Sequence, residues 1–298
     1  MDLILSSVSQ GLLWSIMAIG VCLTYRILDI ADLTAEGSYP LGAAICAVGI
    51  VNGTNPLLAT FLAFLGGMGA GLASGLLHTK LKIPALLTGI VTLTGLYSVN
   101  LKVLGKANVA LLRQETLVTQ LQGLGLSKTN AVMLIGAIFV VVVILFLTLL
   151  LKTQVGLALR STGDNIPMSE ANGIHVDNMK ILGYMLSNGL IALCGALLTQ
   201  NNGYADLNSG TGTIVIGLAS IIISEVILRN LSIGKRLAAV VLGSVVYRLI
   251  ILAILEIPGM DADLVKLFSA ILLAVVLFVP ELQKKLNIRP LAVTNKKA

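Results

Sequence analysis

The chain has 298 residues, of which 56% are hydrophobic and only 11% are charged, and its mean hydropathy is +0.96. A soluble domain carries about 25% charged residues, so this composition excludes an ordinary soluble enzyme and predicts an all-α, polytopic membrane protein within a lipid bilayer. The net charge of +6 is spread over the connections between apolar runs. That distribution indicates membrane topology and argues against nucleic-acid binding.

Nine apolar runs are long enough, or nearly long enough, to cross a bilayer, for which about 20 residues are needed. They lie at about 3–25, 36–52, 56–78, 83–101, 130–151, 179–200, 212–229, 237–257 and 263–281. We therefore expect about nine transmembrane helices, within a range of about 8–10. The run at 36–52 is short and opens with polar residues, glycine and proline, so we expect a broken or re-entrant helix there.

An acidic stretch, "DIADLTAEGSYPLGAA", connects the first two runs of this otherwise apolar chain. Asp32 is placed to cap the start of the second helix, where the helix dipole favours a carboxylate. The stretch is either a structural turn or a moving gate, and we treat it as a candidate hinge. Its candidate residues are Asp29, Asp32, Glu36, Gly37, Pro40 and Gly42.

Polar side chains inside the other apolar runs are candidates for a pore or gate. They either line a hydrated path or hydrogen-bond between helices; Thr88 and Thr92, for example, share one helix face. Arg248 must find an anion, a carbonyl group or water within its span, which fits a structural ion pair or a role in gating. The candidates are Thr88, Thr92, Asn100, Asn188, Asn201, Ser220 and Arg248.

Motifs for catalysis and nucleotide binding are missing from the sequence. It contains no GxxxxGK[ST], GxSxG or HExxH, so we expect a non-enzymatic protein without its own nucleotide site or cofactor. His78 and His175 have no partner at metal-ligand spacing, and no metal site is predicted.

Glycines repeat at every fourth position in the third run, at Gly67, Gly71 and Gly75. This spacing places them on one helix face, where small residues allow two helices to approach closely. We expect them to serve packing.

The distribution of Lys and Arg predicts the orientation in the membrane. With nine spans, fourteen of these residues fall in loops or tails on one side and four on the other. The side with fourteen is expected to be cytoplasmic, so the N-terminus is outside and the C-terminus inside. Residues 1–283 then form a single transmembrane domain, with a cytoplasmic loop at 152–178, and 284–298 form a basic cytoplasmic tail.

A short helix is predicted inside the loop 152–178, within "PMSEANGI". Pro167 suits a first helical turn, and Gly173 is able to end the helix. A helix presented in this way between two spans is a docking surface for a partner that supplies energy.

Four segments carry a resemblance to a known family, and together they cover nearly the whole chain in order. The chain resembles the permease subunits of ATP-binding cassette (ABC) importers of the branched-chain amino acid and ribose type. The first segment is especially similar to the subgroup named for tryptophan and tyrosine transport, in which the run RILDxADLTxxGSxPLG is characteristic. The segments are "GLLWSIMAIGVCLTYRILDIADLTAEGSYPLGAA" (11–44), "KIPALLTGIVTLTGLYSVNL" (82–101), "GLALRSTGDNIPMSEANGI" (156–174) and "GLASIIISEVI" (217–227).

The resemblance implies a bacterial plasma-membrane complex of two permease subunits, expected to be a homodimer, two cytoplasmic ATPase subunits that bind ATP and magnesium, and an extracellular substrate-binding lipoprotein. The cargo would be an amino acid, expected to be aromatic; alternatives are branched-chain amino acids, sugars or nucleosides. A secondary transporter driven by ions is a more distant alternative, because no ladder of carboxylates crosses the spans. The expected coupling residues are Arg160, Gly163, Asn165, Pro167, Glu170, Ala171, Gly173 and Ile174.

Overall fold

A computed structural model of the chain describes residues 2–228, 231–256 and 265–285, which are predominantly helical. The helices are α1 (Asp2–Cys22), α2 (Ala35–Val51), α3 (Pro56–Thr79), α4 (Ala85–Leu104), α5 (Leu117–Gly123), α6 (Lys128–Lys152), α7 (Gln154–Asp164), α8 (Ile166–Ala171), α9 (Val176–Asn202), α10 (Thr213–Ile227), α11 (Ile233–Leu255) and α12 (Val265–Lys285). A π-helical turn, Leu23–Ile27, extends α1, and a 3-10 turn, Leu207–Gly210, precedes α10. The predicted tail lies outside the described residues from 286 onward.

Seven helical segments among the described residues are long and apolar enough to span a membrane. These are α1 with its π-helical turn, α3, α4, α6, α9, the 3-10 turn with α10, and α11. The helix α2 is apolar but has only 17 residues. The polytopic helical fold is therefore confirmed, whereas the predicted count of nine is not.

Two short strands mark one end of the bundle. Strand β1 (Asn108–Ala110) follows α4 and pairs antiparallel with β2 (Tyr204–Asp206), which follows α9, so that Val109 lies opposite Ala205. We call this end the sheet end. The opposite end carries α7 and α8 and is called the α8 end.

The helix α9 forms the centre of the bundle, since every residue from 186 to 201 is buried. It packs mainly against α3, α2 and α1. The predicted glycine stripe on α3 is what allows this packing: Cβ atoms added at Gly67 and Gly71 would overlap the backbone of α9. The assignment of these glycines to close helix packing is confirmed.

The acidic stretch turns back into the bundle before α2 begins. Asp29 has a φ of 58°, and the irregular segment 28–34 brings Asp32 beside Asn188, which lies near the middle of the 27-residue α9. From there α2 runs to the sheet end, and its first half packs closely on α9, where Gly195 lies against the backbone of Tyr39 and Ala43.

The break that the sequence predicted within 36–52 lies before the helix instead. The helix α2 is continuous from Ala35 to Val51, although it contains Pro40. A proline removes one helical hydrogen bond and crowds the carbonyl groups of the preceding turn. The side-chain amide of Asn100 donates to the carbonyl oxygen of Gly37 at 3.1 Å, so a neighbouring helix hydrogen-bonds to the turn before Pro40, although the carbonyl that loses its helical donor is that of Glu36.

The helix α10 begins at the same depth as α2 and runs the other way. The amide of Gly212, at the start of α10, donates to Glu36 Oε1 at 3.0 Å. Near the other end of α10, Glu225 pairs with Arg26 and Arg236 at the α8 end. Two short helices therefore meet at their N-termini inside the bundle.

The glycine stripe leads to a test of packing. We expect Gly71→Val to lower the free energy of unfolding by about 1–3 kcal/mol, because an added side chain overlaps the carbonyl group of Tyr184. Thermal unfolding of the purified protein measures the loss. Gly69→Val is the matched control, since a Cβ at Gly69 meets no described atom within 4 Å. Equal losses in both variants would contradict the assignment.

Candidate functional site

A carboxylate buried in the middle of the bundle organises the candidate hinge. The side chain of Asp32 is only 5% exposed. Its Oδ2 accepts a hydrogen bond from Asn188 Nδ2 at 2.7 Å, and its Oδ1 accepts one from the amide of Thr34 at 2.9 Å. Asn188 Oδ1 in turn accepts from Ser38 Oγ at 2.7 Å. Asp32 therefore holds its own segment, the start of α2 and the middle of α9 together.

A row of hydroxyl groups continues from this carboxylate across α3 to α4. Thr34 Oγ1 lies 2.6 Å from Ser74 Oγ, which donates to Thr92 Oγ1 at 2.9 Å. Thr92 then donates to the carbonyl oxygen of Thr88. All four side chains are buried. Two predicted pore residues, Thr88 and Thr92, thus belong to an interhelical network, as does Asn188.

The predicted cap at the start of α2 takes a different form. Thr34 occupies the position before α2, and its side chain makes no capping bond. The carboxylate of Asp32 instead accepts from the amide of Thr34, two residues ahead, which forms a local turn. The buried backbone of the irregular segment is satisfied in part this way and in part by the bond from the Ile30 amide to the carbonyl oxygen of Thr24.

A cavity of about 440 Å³ lies where the N-termini of α2 and α10 meet α4. We call it the central cavity. It is lined by three predicted hinge residues, Glu36, Gly37 and Pro40, and by one predicted pore residue, Asn100. Its lining is Glu36, Gly37, Pro40, Leu93, Thr94, Tyr97, Ser98, Asn100, Leu207, Asn208 and Thr211.

The loop at the α8 end folds as the sequence predicts. Asn165 caps α8 by accepting from the amide of Met168 at 3.0 Å, and Pro167 lies in the first turn. Gly173, with a φ of 77°, ends the helix, and the amide of Ile174 closes it on the carbonyl oxygen of Ser169. The outer surface of α8 is exposed, including Ile166, Met168, Glu170 and Ala171.

Close contacts join α8 through α7 to the irregular segment. Ser161 Oγ of α7 lies 2.7 Å from Ser169 Oγ of α8. A Cβ added at Gly163 would overlap the carbonyl group of Ile27 and stand 2.9 Å from Leu28 Cα. Leu159 is fully buried in one apolar cluster with Leu28. Interiors packed this tightly transmit displacement.

The remaining predicted site residues lie elsewhere. Arg160 borders a separate cavity of about 440 Å³ at the α8 end, and Asn201 borders one of about 340 Å³ at the sheet end. Ser220 is buried against Gly243 of α11. Asp29 is exposed within the irregular segment, and Gly42 packs against the backbone of Ala192.

Arg248 makes a cation–π contact inside the bundle. Its guanidinium carbon lies 5.1 Å from the centroid of the Trp14 ring, and Trp14 is stacked on Tyr39 at 5.5 Å. Such contacts contribute about 2 kcal/mol or more when desolvated. An aromatic partner was not among the anions, carbonyl groups or water that the sequence suggested.

Sequence reasoning missed several contributors to these sites. It did not single out Tyr97, Asn208 and Thr211 of the central cavity, because no local pattern shows that α4 and the loop before α10 meet there. The spacing of four residues between Glu225 and Arg229 predicts an ion pair on one helix face, but Arg229 lies outside the described residues. The described partners of Glu225 are Arg26 and Arg236, at 2.7 and 3.1 Å.

Comparison with known proteins shows a family relationship over nearly the whole chain. Residues 3–278 match the model of the family described as branched-chain amino acid transport system, permease component. The chain is 42% identical over 270 residues to a tyrosine transport system permease protein of Clostridioides difficile, covering 91% of this chain and 88% of the relative. No solved structure matches significantly.

Other relatives are more distant. An uncharacterized protein of Rickettsia prowazekii is 34% identical over 277 residues, covering 92% of this chain and 96% of the relative. The autoinducer 2 import system permease protein LsrC of Yersinia enterocolitica is 28% identical over 225 residues, covering 75% and 60%.

A double-mutant cycle tests the bond between Asp32 and Asn188. We expect Asp32→Ala and Asn188→Ala together to destabilise the protein less than the sum of the single variants, with a coupling of about 0.5–3 kcal/mol, because each single variant leaves a buried polar group unpaired. Thermal unfolding in detergent measures each corner. Ser187→Ala replaces Asn188→Ala in the control cycle, since Ser187 donates to the carbonyl oxygen of Gly20 at 2.8 Å. Additive losses in the first cycle would show that the bond does not organise the segment.

Proposed function

Because the chain belongs to the permease component family of branched-chain amino acid transport systems, a family of ABC transporters, we propose that it imports an aromatic amino acid. The observation that supports this cargo is the 42% identity to a permease named for tyrosine transport. The same machinery acting on branched-chain amino acids, sugars or nucleosides is the alternative, and the similarity to LsrC fits this wider range.

The proposed complex contains two copies of this chain, two ATPase subunits that bind ATP and magnesium, and an extracellular substrate-binding lipoprotein. The α8 end faces the cytoplasm, and the sheet end faces the lipoprotein. The bias of fourteen basic residues to four supports this orientation. The N-terminus of α1 is then outside, in a bacterial plasma membrane.

The ATPase docks on α8 in this proposal. The exposed side chains Ile166 and Met168 offer an apolar contact, 40% and 51% exposed, next to exposed Glu170. Because α8 is capped at both ends and hydrogen-bonded to α7, a displacement of α8 moves the whole loop. A flexible loop would absorb the same displacement.

Movement of α8 reaches the interior through the irregular segment. Gly163 and Leu159 of α7 press on Ile27 and Leu28, and a few residues later Asp32 holds the start of α2. ATP-driven approach of the two ATPase subunits would then shift the population between inward- and outward-open states. The central cavity, at the start of α2, lies along the proposed path.

Docking through α8 is tested by changing the exposed charge of Glu170 and the glycine, Gly173, that ends the helix. We expect Glu170→Arg and Gly173→Pro to lower both uptake of labelled tyrosine and transport-coupled ATP hydrolysis, while the amount of protein in the membrane stays unchanged. Glu170→Arg reverses a charge on the docking surface, and Gly173→Pro forbids the positive φ that ends α8. Asp177→Arg, at the same end of the bundle but outside α8, is the control for a charge reversal, since among the described residues Asp177 forms only an exposed ion pair with Lys80 at 3.4 Å. Normal transport by both α8 variants would refute the docking.

Transmission from α7 is tested separately. We expect Gly163→Leu to retain binding of the ATPase but to lose coupling between ATP hydrolysis and uptake by about tenfold or more, because misplacement by about 1 Å at a distance costs that much or more. Copurification measures binding, and uptake per ATP hydrolysed measures coupling. Gly123→Leu is the control, because a Cβ at Gly123 meets no described atom within 4 Å and the residue does not have the positive φ of Gly105. If Gly163→Leu keeps full coupling, the proposed path is incorrect.

A further inference from the structure

One residue that lines the central cavity carries a buried hydrogen-bond acceptor with no partner among the described residues. Asn100 is 1% exposed and lines the cavity. Its Nδ2 donates to the carbonyl oxygen of Gly37, which fixes the orientation of the amide, and leaves Oδ1 unpaired. An unpaired buried oxygen carries a desolvation cost. A ligand that donates hydrogen bonds would remove this cost.

A second acceptor lies in the same wall. Glu36 lines the cavity and accepts from the amide of Gly212 at 3.0 Å. The two helix N-termini favour the charged carboxylate, so the wall combines a stabilised anion with the amide oxygen of Asn100. A donor with positive charge matches both, and hydrogen bonds to ionised groups are the stronger kind.

Apolar and aromatic residues form another part of the wall, beside the polar residues Thr94, Ser98, Asn208 and Thr211. Tyr97 is 50% exposed, and Leu93, Pro40 and Leu207 complete this surface. An exposed aromatic ring on a membrane helix is able to stack on a ligand ring. The volume of about 440 Å³ falls within the range of small-molecule sites, about 300–1,000 Å³.

We infer that the permease itself recognises its cargo in the central cavity, which accepts a primary ammonium group at Asn100 Oδ1 and Glu36 and an aromatic ring beside Tyr97. This inference rests on the proposed function and deepens it: the permease is not a passive channel behind a selective binding protein. Asn100 and Tyr97 are specificity residues of the permease, independent of the lipoprotein.

The roles of the two Asn100 side-chain atoms are separable by substitution. Both Asn100→Leu and Asn100→Asp lose the bond to the carbonyl oxygen of Gly37, but only Asn100→Asp keeps an oxygen acceptor. We expect Asn100→Leu to lower the tyrosine uptake rate at saturating binding protein about tenfold, the effect of one charge-assisted bond, and Asn100→Asp to retain most uptake. Ser244→Ala is the control for loss of a buried bond from a side chain to a carbonyl group.

Equal loss of uptake in Asn100→Leu and Asn100→Asp would overturn the inference, because the residue would then act only by holding Gly37. Wild-type uptake in both variants would also overturn it. Asn100 Oδ1 would then contribute no hydrogen bond to the cargo, and a bound water molecule would be its partner. Tyr97→Phe is expected to keep uptake of tyrosine, and Tyr97→Leu to lower it.

Direct binding distinguishes failure of the inference from failure of the proposed function. Saturation-transfer NMR on the purified chain in nanodiscs compares tyramine, L-tyrosine and 3-(4-hydroxyphenyl)propionate. We expect tyramine and tyrosine to bind, the propionate to bind much more weakly, and Asn100→Leu to abolish the difference. If the wild-type complex imports no aromatic amino acid, the proposed function fails, whereas preferential binding of tyramine still supports the cavity. Equal binding of all three compounds overturns the inference itself.

Discussion

The hydrogen bond between Asp32 and Asn188 is the interaction on which the centre of this protein depends. Irregular backbone is costly inside a membrane unless its polar groups are bonded within the protein. Here the segment 28–34 enters the middle of the bundle, and the Asp32 carboxylate bonds both to its own backbone and to α9. Ser38 joins the same amide and fixes the first turns of α2. Asp32, an acidic residue in an otherwise apolar sequence, therefore anchors the start of a helix.

The arrangement of α2 and α10 follows from that anchor. Because α2 starts at mid-bundle, its N-terminus is available to face the N-terminus of α10, and Glu36 bridges the two. The meeting point leaves space against α4, which forms the central cavity. In the proposed importer, this geometry places a polar site with stabilised negative charge at the depth where the cargo must pass. In the same proposal, the α8 end acts on this site through α7, and ATP is bound by the separate ATPase subunits.

Some of these features could be predicted from the sequence because their signals are local. The caps of α8, Asn165 and Gly173, act within one turn of their own positions. The spacing of the glycines on α3 is enough to show that they share one helix face. The broken region near 36–52 was predicted from Pro40 and glycine, but the irregular backbone lies earlier. Asn100 hydrogen-bonds to the turn before Pro40, and sequence periodicity does not show this long-range contact.

Other features depend on tertiary packing alone. Polarity showed that Thr88, Thr92 and Asn188 were unusual, but it did not distinguish a network sealed between helices from a hydrated lining. The partners of Glu225 and Arg248 come from distant helices. The depth of Asp32 could not be predicted either, since hydrophobicity fixes the length of a span and not the level at which an irregular segment turns.

The most direct measurement of the central claim is a pair of distances in the assembled transporter, recorded with and without trapped ATP. Spin labels at exposed positions 25 and 168 report whether the end of α1 and α8 move as one unit, and labels at 168 and 99 report movement against α4. The three native cysteines, all buried, are replaced beforehand. The account predicts an unchanged distance for the first pair and a changed distance for the second. A first distance that changes as much as the second would contradict rigid transmission from α8 to the segment that Asp32 anchors.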